Sequence, residues 1–235
     1  MKKRIVLGLV ATLTTLSLSA FATSYPGNGS SAWGGPVGQG TLTLTDDGTT
    51  LNLSLTKGPG NLNDALVIYI DSKSGGFTDT SLFSDDADGA RSAISGFSGG
   101  NRSLMTFASG FEPDYAVAIE SGYASLFGLA SGGSGSLQWK TGTGQGGNTS
   151  PTFSLSFPLS DIAISAGGSF TLFGTYIAPS AWRGPEAIAG NDTGTDGFNP
   201  FTQTEFSSYT SVPEPSALAL IGCGLAGLVC LRRRQ

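Results

Sequence analysis

Three carboxylates crowd into Asp85-Asp86-Ala87-Asp88-Gly89, the densest acidic run of the chain. An Asp-x-Asp-Gly spacing turns two oxygens to the inside of a tight turn, a geometry that suits a hard cation such as calcium. Asp71, at the end of an apolar run, is placed to supply a third ligand. The twelfth position counted from Ser84 is Ser95, where an EF-hand loop carries Glu, so the stretch is not an EF-hand. A solvated loop using Asp and Gly for turn geometry is the competing reading. Asp192 and Asp196 lie on a second Gly-rich loop, Gly190 to Gly197, which either joins the first loop in space or is an ordinary surface loop. Trp33, Trp139 and Trp182, with Tyr123 and Tyr176, would stack on sugar rings if they shared a face. Trp139 and Tyr176 fall in strand patterns, which favours core or sheet-face roles. Trp182, followed by Arg183 in a Pro-bounded loop, is the exposed candidate for ligand contact.

Composition removes most catalytic chemistry. The chain has 235 residues, 36 of them Gly, with no His and only 12% charged residues. Both cysteines, Cys223 and Cys230, lie in an apolar C-terminal run, so the part before it has neither a disulfide nor a thiol nucleophile. Cys/His zinc sites and triads with a His base are excluded there. Glycoside hydrolysis needs only two carboxyl groups. Yet Glu112, Glu120, Glu186 and Glu205, the only glutamates between the terminal segments, sit in no recognisable catalytic motif. A non-enzymatic protein is expected, with a histidine-free glycoside hydrolase as the enzymatic alternative. Lys2, Lys3, Arg4 and Arg232 to Arg234 hold six of the 12 basic residues; between these clusters the other six face all 17 acidic ones, a net charge of about −11. Such a surface repels phosphate backbones, so nucleic acid is not a partner.

The elements that must position these residues read as strands. Thr41 to Thr45 and Leu51 to Leu55 alternate around Asp46-Asp47-Gly48, a hairpin with one buried face. Ala65 to Ile70 is a continuous apolar run that suits a central strand covered on both sides. Residues 72 to 110 are the least regular. Strand patterns return at Tyr115–Ile119, Ala124–Leu129, Gly135–Lys140, Thr152–Phe157, Ser169–Ile177 and Thr204–Thr210. Pro158 to Ile164 reads either as one helical turn capped by Ser160 or as a short strand. Short strands with Gly-rich turns and no long amphipathic helix predict an all-β, jelly-roll-like antiparallel β-sandwich over residues 41 to 211. The Gly/Ser/Pro-rich residues 23 to 40 read as a flexible arm before it.

The ends read as targeting segments. Residues 1 to 22 form a signal peptide: Lys2-Lys3-Arg4, an apolar run from Ile5 to Leu18, and Ala20-Phe21-Ala22 for signal-peptidase cleavage before Thr23. Residues 212 to 235 combine Pro213-Glu214-Pro215, an apolar span and Arg232-Arg233-Arg234. As a helix, Ala217 to Leu231 reaches roughly 22 Å, short of a ~30 Å hydrocarbon core, and the arginines would hold its cytoplasmic end. This segment resembles the PEP-CTERM sorting signal of Gram-negative bacteria that export proteins into an exopolysaccharide-rich surface. The resemblance implies an exosortase-type processing protease as partner, tethering through a short transmembrane helix in transit, and a cut near Pro213-Glu214-Pro215. A permanently retained single-pass anchor is the alternative.

A second resemblance covers residues 62 to 130. Ile68-Tyr69-Ile70-Asp71, Asp88-Gly89 with Arg91, and Gly110-Phe111-Glu112-Pro113-Asp114-Tyr115-Ala116-Val117 resemble the strand pattern of DOMON-like and family 9 carbohydrate-binding sandwiches. It implies a carbohydrate ligand; haem is ruled out, because Met105 alone cannot make its axial site. The expectation is an exported surface or matrix protein with a structural or adhesive role in exopolysaccharide and biofilm assembly. The alternative is a carbohydrate-binding module using Trp182 and the two Asp loops, with calcium as the cation those loops would hold.

Overall fold

The computed structural model describes residues 22–213. β1 (Thr23–Pro26) is followed by β2 (Thr41–Asp46) and β3 (Thr50–Thr56). In β2 and β3 the Thr/Leu alternation matches the two-residue period of a strand, so Leu42, Leu44, Leu51, Leu53 and Leu55 share one buried face. Asp47 Oδ1 accepts the amides of Thr49 and Thr50 and closes the turn between them. β4 (Ala65–Asp71) is buried from Ala65 to Ile70, as its unbroken apolar run requires. The irregular stretch that follows contains helix α1 (Gly89–Ser95) and the two-residue strands β5 (Phe97–Ser98), β6 (Asn101–Arg102) and β7 (Met105–Thr106). β8 (Tyr115–Ile119), β9 (Tyr123–Gly128) and β10 (Gln138–Gly144) form a meander. β11 (Thr152–Pro158) leads into a 3-10 turn, Leu159–Ile162, and then β12 (Ser169–Ile177). β13 (Arg183–Ile188), β14 (Gly190–Asp192) and β15 (Phe201–Thr210) complete the series.

These strands make an all-β domain of two principal sheets. The smaller has the order β1-β2-β3-β11. The larger runs β10-β9-β8-β4-β12-β15-β14, with β13 paired to the far half of β12 and β7 added in parallel to the start of β15. A shared apolar core joins their facing sides: Leu42, Leu53, Phe153 and Phe157 from the small sheet meet Ile68, Val117, Leu126 and Leu172 from the large one. Each such side chain removed from water contributes roughly 1.5–3 kcal/mol. The other face of the large sheet carries a second core, in which Val67, Tyr69, Ala116 and Phe173 pack beneath Ala93 and Ile94 of α1 and beneath Phe107, Phe111 and Phe201. β4 is therefore covered on both sides, as its composition predicts.

Several expectations change. The arm at 23 to 40 is built into the domain: β1 pairs with β2 from Thr23↔Leu44 to Pro26↔Thr41, Val37 is fully buried, and Gly27 bridges to Ile188 of the large sheet. Tyr25 Oη also donates to the Ser208 carbonyl in β15, so β1 lies over the β15 side of the large sheet. The large sheet, with its meander and its parallel β7–β15 pair, departs from two equal jelly-roll sheets. The 158–164 stretch is the 3-10 turn, entered from Pro158 without a side-chain cap, so Ser160 is not the cap. The expected signal helix, with Ala20, and the C-terminal membrane helix, with Arg232 to Arg234, lie outside the described residues. Among the described residues no helix is long and apolar enough to cross a membrane.

Candidate functional site

β13 alternates like any strand, and its two faces carry opposite charges. Glu186 is fully buried on the side that meets the N-terminal residues. Its carboxylate accepts four backbone amides: Trp33 and Gly35 on Oε1, at 2.9 Å each, and Val37 and Gly38 on Oε2, at 3.0 and 2.9 Å. A buried carboxylate is tolerated when donors saturate its lone pairs, and these bonds are of the stronger, charge-assisted kind. The wrapped segment carries Trp33 across β13. There its ring lies directly over Gly184, where a Cβ would come within 2.8 Å of the indole. On another side the indole meets Tyr176 edge-on, with ring centroids 5.4 Å apart.

The Trp33 indole N–H ends at Asp196 Oδ1, 3.0 Å away. The Trp182 indole N–H reaches the same oxygen at 2.7 Å. Two tryptophans separated by most of the chain are thus pinned on one carboxylate oxygen. Asp196 Oδ2 has no hydrogen-bond partner among the described residues and is free to accept from a ligand hydroxyl. Phe198 extends the cluster, meeting Trp182 edge-on at 4.9 Å. Trp182 and Phe198 remain 40% and 39% exposed. Backbone geometry fixes both loops: Arg183 and Gly197 exchange amide and carbonyl bonds at 3.1 and 2.9 Å. Ala181, buried just before Trp182, holds φ at +68°, a left-handed conformation that costs a residue with a Cβ roughly 1–2 kcal/mol. The outcome is an immobilised, half-exposed aromatic patch edged by a carboxylate, able to pack against the apolar face of a sugar ring while accepting its hydroxyls.

Arg183, expected to accompany Trp182 at a ligand, is fully buried on the opposite face. Its guanidinium lies 5.6 Å from the Phe201 ring centroid and donates to Thr175 Oγ1 at 3.1 Å. Arg183 opens β13 and turns inward toward Phe201, whereas Trp182 lies in the loop before the strand and stays exposed. Trp139, expected in the core or on a sheet face, is exposed on β10 at the sheet's edge, whereas Tyr176 is buried.

The first Asp loop holds the chain together. Asp85 is fully buried and accepts amides from Ala87, Gly135 and Leu137, with Arg91 Nε 3.4 Å away. Asp86 accepts the Gly99 amide, while Asp88 caps α1 through the Arg91 amide and pairs with the Arg91 guanidinium. Asp71 accepts the Glu112 amide, and burial raises its carboxyl above the usual range. Asp192 accepts the Gly194 amide on Oδ1; burial raises its pKa, partly offset by the Arg183 charge. Among the described residues no three acidic side chains gather in a metal-holding group. Asp192 and Asp196 belong to separate local networks. Of the candidate hydrolytic glutamates, Glu186 is consumed by its four amides.

Trp182 was legible as an exposed aromatic. Trp33, Asp196 and Phe198 as its partners were not, because the pairing depends on where Glu186 leads the N-terminal segment. The C-terminal motif starts inside the fold. Ser211 is buried with its hydroxyl near the Ser165 and Gly168 carbonyls, and the Val212 amide is held by the buried Asp46 carboxylate. Pro213 is the first exposed residue beyond them. No curated protein and no solved structure matches the chain. Residues 211–234, about a tenth of its length, match the PEP-CTERM protein-sorting motif, the signal by which an exosortase recognises proteins for export to the cell surface.

Proposed function

We propose that this is an exported protein whose C-terminal segment hands it to an exosortase-type protease. Its β domain then serves a structural or adhesive role in an exopolysaccharide-rich matrix, as in biofilm assembly. The observation that carries this reading is the sorting motif at residues 211–234, which begins where the folded domain ends. The basic n-region, apolar run and Ala20-Phe21-Ala22 support entry into the export route through signal peptidase. The apolar span from Ala217 to Leu231 supports membrane tethering during transit. The acidic, His-free composition supports a role without catalysis. Cell fractionation tests the reading: the chain should leave the membrane and collect with the polysaccharide matrix. A chain found in the cytoplasm, or one that stays in the membrane fraction at full length, contradicts it.

The Asp196-pinned tryptophans favour a second reading, a carbohydrate-binding module. In this reading Trp182, Phe198 and the edge of Trp33 contact a sugar ring and Asp196 takes its hydroxyls. This reading does not call on calcium at the first loop, where Asp85, Asp86 and Asp88 bond to the backbone and to Arg91. Trp182→Ala should weaken binding to matrix polysaccharide at least tenfold, as loss of a central Trp anchor does, and leave the fold intact. Unchanged binding would overturn this reading without touching the first.

A further inference from the structure

Where the edge of the small sheet meets the edge of the large one, a groove of about 340 Å³ opens between the end of β1 and the β14–β15 pair. That is within the size range of small-ligand sites. Asn28, Asn191, Glu205 and Ser207 supply its polar lining. Asn28 is fully used: its amide nitrogen donates to the Pro185 carbonyl and to Asn191 Oδ1, and its oxygen accepts the Ser30 amide. Asn191 Oδ1 also accepts the Asp192 amide, which leaves the Asn191 amide nitrogen to donate. Glu205 is exposed and enters none of the ion pairs among the described residues. The groove thus offers an amide donor, a hydroxyl and a carboxylate, and no basic residue lines it.

The groove and the aromatic patch are linked by two chain segments, 28 to 33 and 191 to 196. Asn28 bonds to Asn191 at 3.1 Å, and Trp33 bonds to Asp196 at 3.0 Å. Each partner in the second contact lies five residues after its counterpart in the first. The two segments therefore run side by side, stapled at both ends, and the staples are at most about 17 Å apart. One extended oligosaccharide spans that distance.

We propose that the groove is a second subsite for the same glycan chain, and that this chain carries protonated amino groups, one of which pairs with Glu205. The proposal rests on the carbohydrate-binding reading of the aromatic patch. The lone carboxylate and the acidic chain around it disfavour uronate or sulfated polymers through like-charge repulsion. A neutral glycan would leave Glu205 without a partner of opposite charge.

The test compares three soluble probes on the purified full chain: a chitin hexasaccharide, its fully deacetylated form, and a cellulose hexasaccharide. The deacetylated probe should bind roughly fivefold more tightly than the acetylated one, the worth of about 1 kcal/mol for an accessible charge pair. The preference should fall with added salt. Glu205→Gln, an exposed change that should leave the melting temperature alone, should erase the preference, and Trp182→Ala should weaken all three probes. Equal binding of the acetylated and deacetylated probes overturns the amino-sugar assignment. A preference that survives Glu205→Gln overturns the groove as its source. Binding indifferent to Trp182→Ala as well removes the reading on which the proposal rests.

Discussion

Glu186 shows how one side chain decides the position of another far away. Its four amide donors fix Trp33, Gly35, Val37 and Gly38, and through Trp33 they fix the oxygen that Trp182 shares. Glu186→Gln would turn an NH2 group toward two of those amides and leave them unsatisfied. The expected loss is about 2–4 kcal/mol, read as a lower denaturation midpoint together with a changed Trp33 fluorescence. An unchanged midpoint would show that the amides find other acceptors. Glu120 gives the opposite case. Burial first, and the Asp88 charge second, raise its pKa above the usual carboxylate value. The folded state then binds this proton more readily than the unfolded chain does, so the group's contribution is most favourable at low pH and declines as pH rises from the ordinary carboxylate pKa through the raised one. Glu120→Gln should therefore raise the melting temperature at pH 7 and give no advantage at pH 4. A gain of equal size at both values would mean that charge is not the cause.

The elements divide by how local their instructions are. The β2–β3 hairpin, the doubly covered β4 and the β8–β9 pair were legible because period and turn chemistry lie within a few residues of each other. The 23–40 segment was not: its Gly and Pro content reads as a loose arm, but the carboxylate that orders it lies some 150 residues later, at Glu186. α1 was obscured for a different reason. Asp88 caps its start and Gly96, at φ +58°, closes its end, but the helix is only seven residues long and its Asp-rich entrance reads in sequence as a cation loop. With Asp85 buried against three amides and Arg91, that entrance is a structural knot. Calcium followed by chelator should leave the unfolding temperature of the protein unchanged. A calcium-dependent rise, expected to be a few degrees at 100 times the dissociation constant, would restore the loop as a metal site. Asp46→Ala tests the other knot, where one buried carboxylate holds Tyr209 Oη, the Gly48 amide and the Val212 amide. About 3 kcal/mol should be lost, since buried donors are left unpaired; a loss below 1 kcal/mol would show that the end of β15 holds without it.

At the scale of the whole molecule, the functional information sits at the chain's end and the physical constraint sits beside it. The C-terminal motif was readable because its order of Pro-Glu-Pro, apolar run and arginines is contiguous. The aromatic patch was only partly readable, because it gathers Trp33, Trp182, Asp196 and Phe198 from separate loops. The Asp46 clamp anchors the chain through Val212, and Pro213 is exposed immediately after it. From Val212 to Ala217 is five residues, at most about 17 Å of extended chain. Processing that both spares the fold and removes the whole apolar span cuts within that interval. The intact mass of the protein recovered from the cell surface tests this most directly. The account predicts a chain that begins at Thr23 and ends between Val212 and Ser216, and a variant with alanines at 213 to 215 that is not cut there. A surface chain that still carries the residues from Ala217 onward, or a variant processed like the wild type, would contradict it.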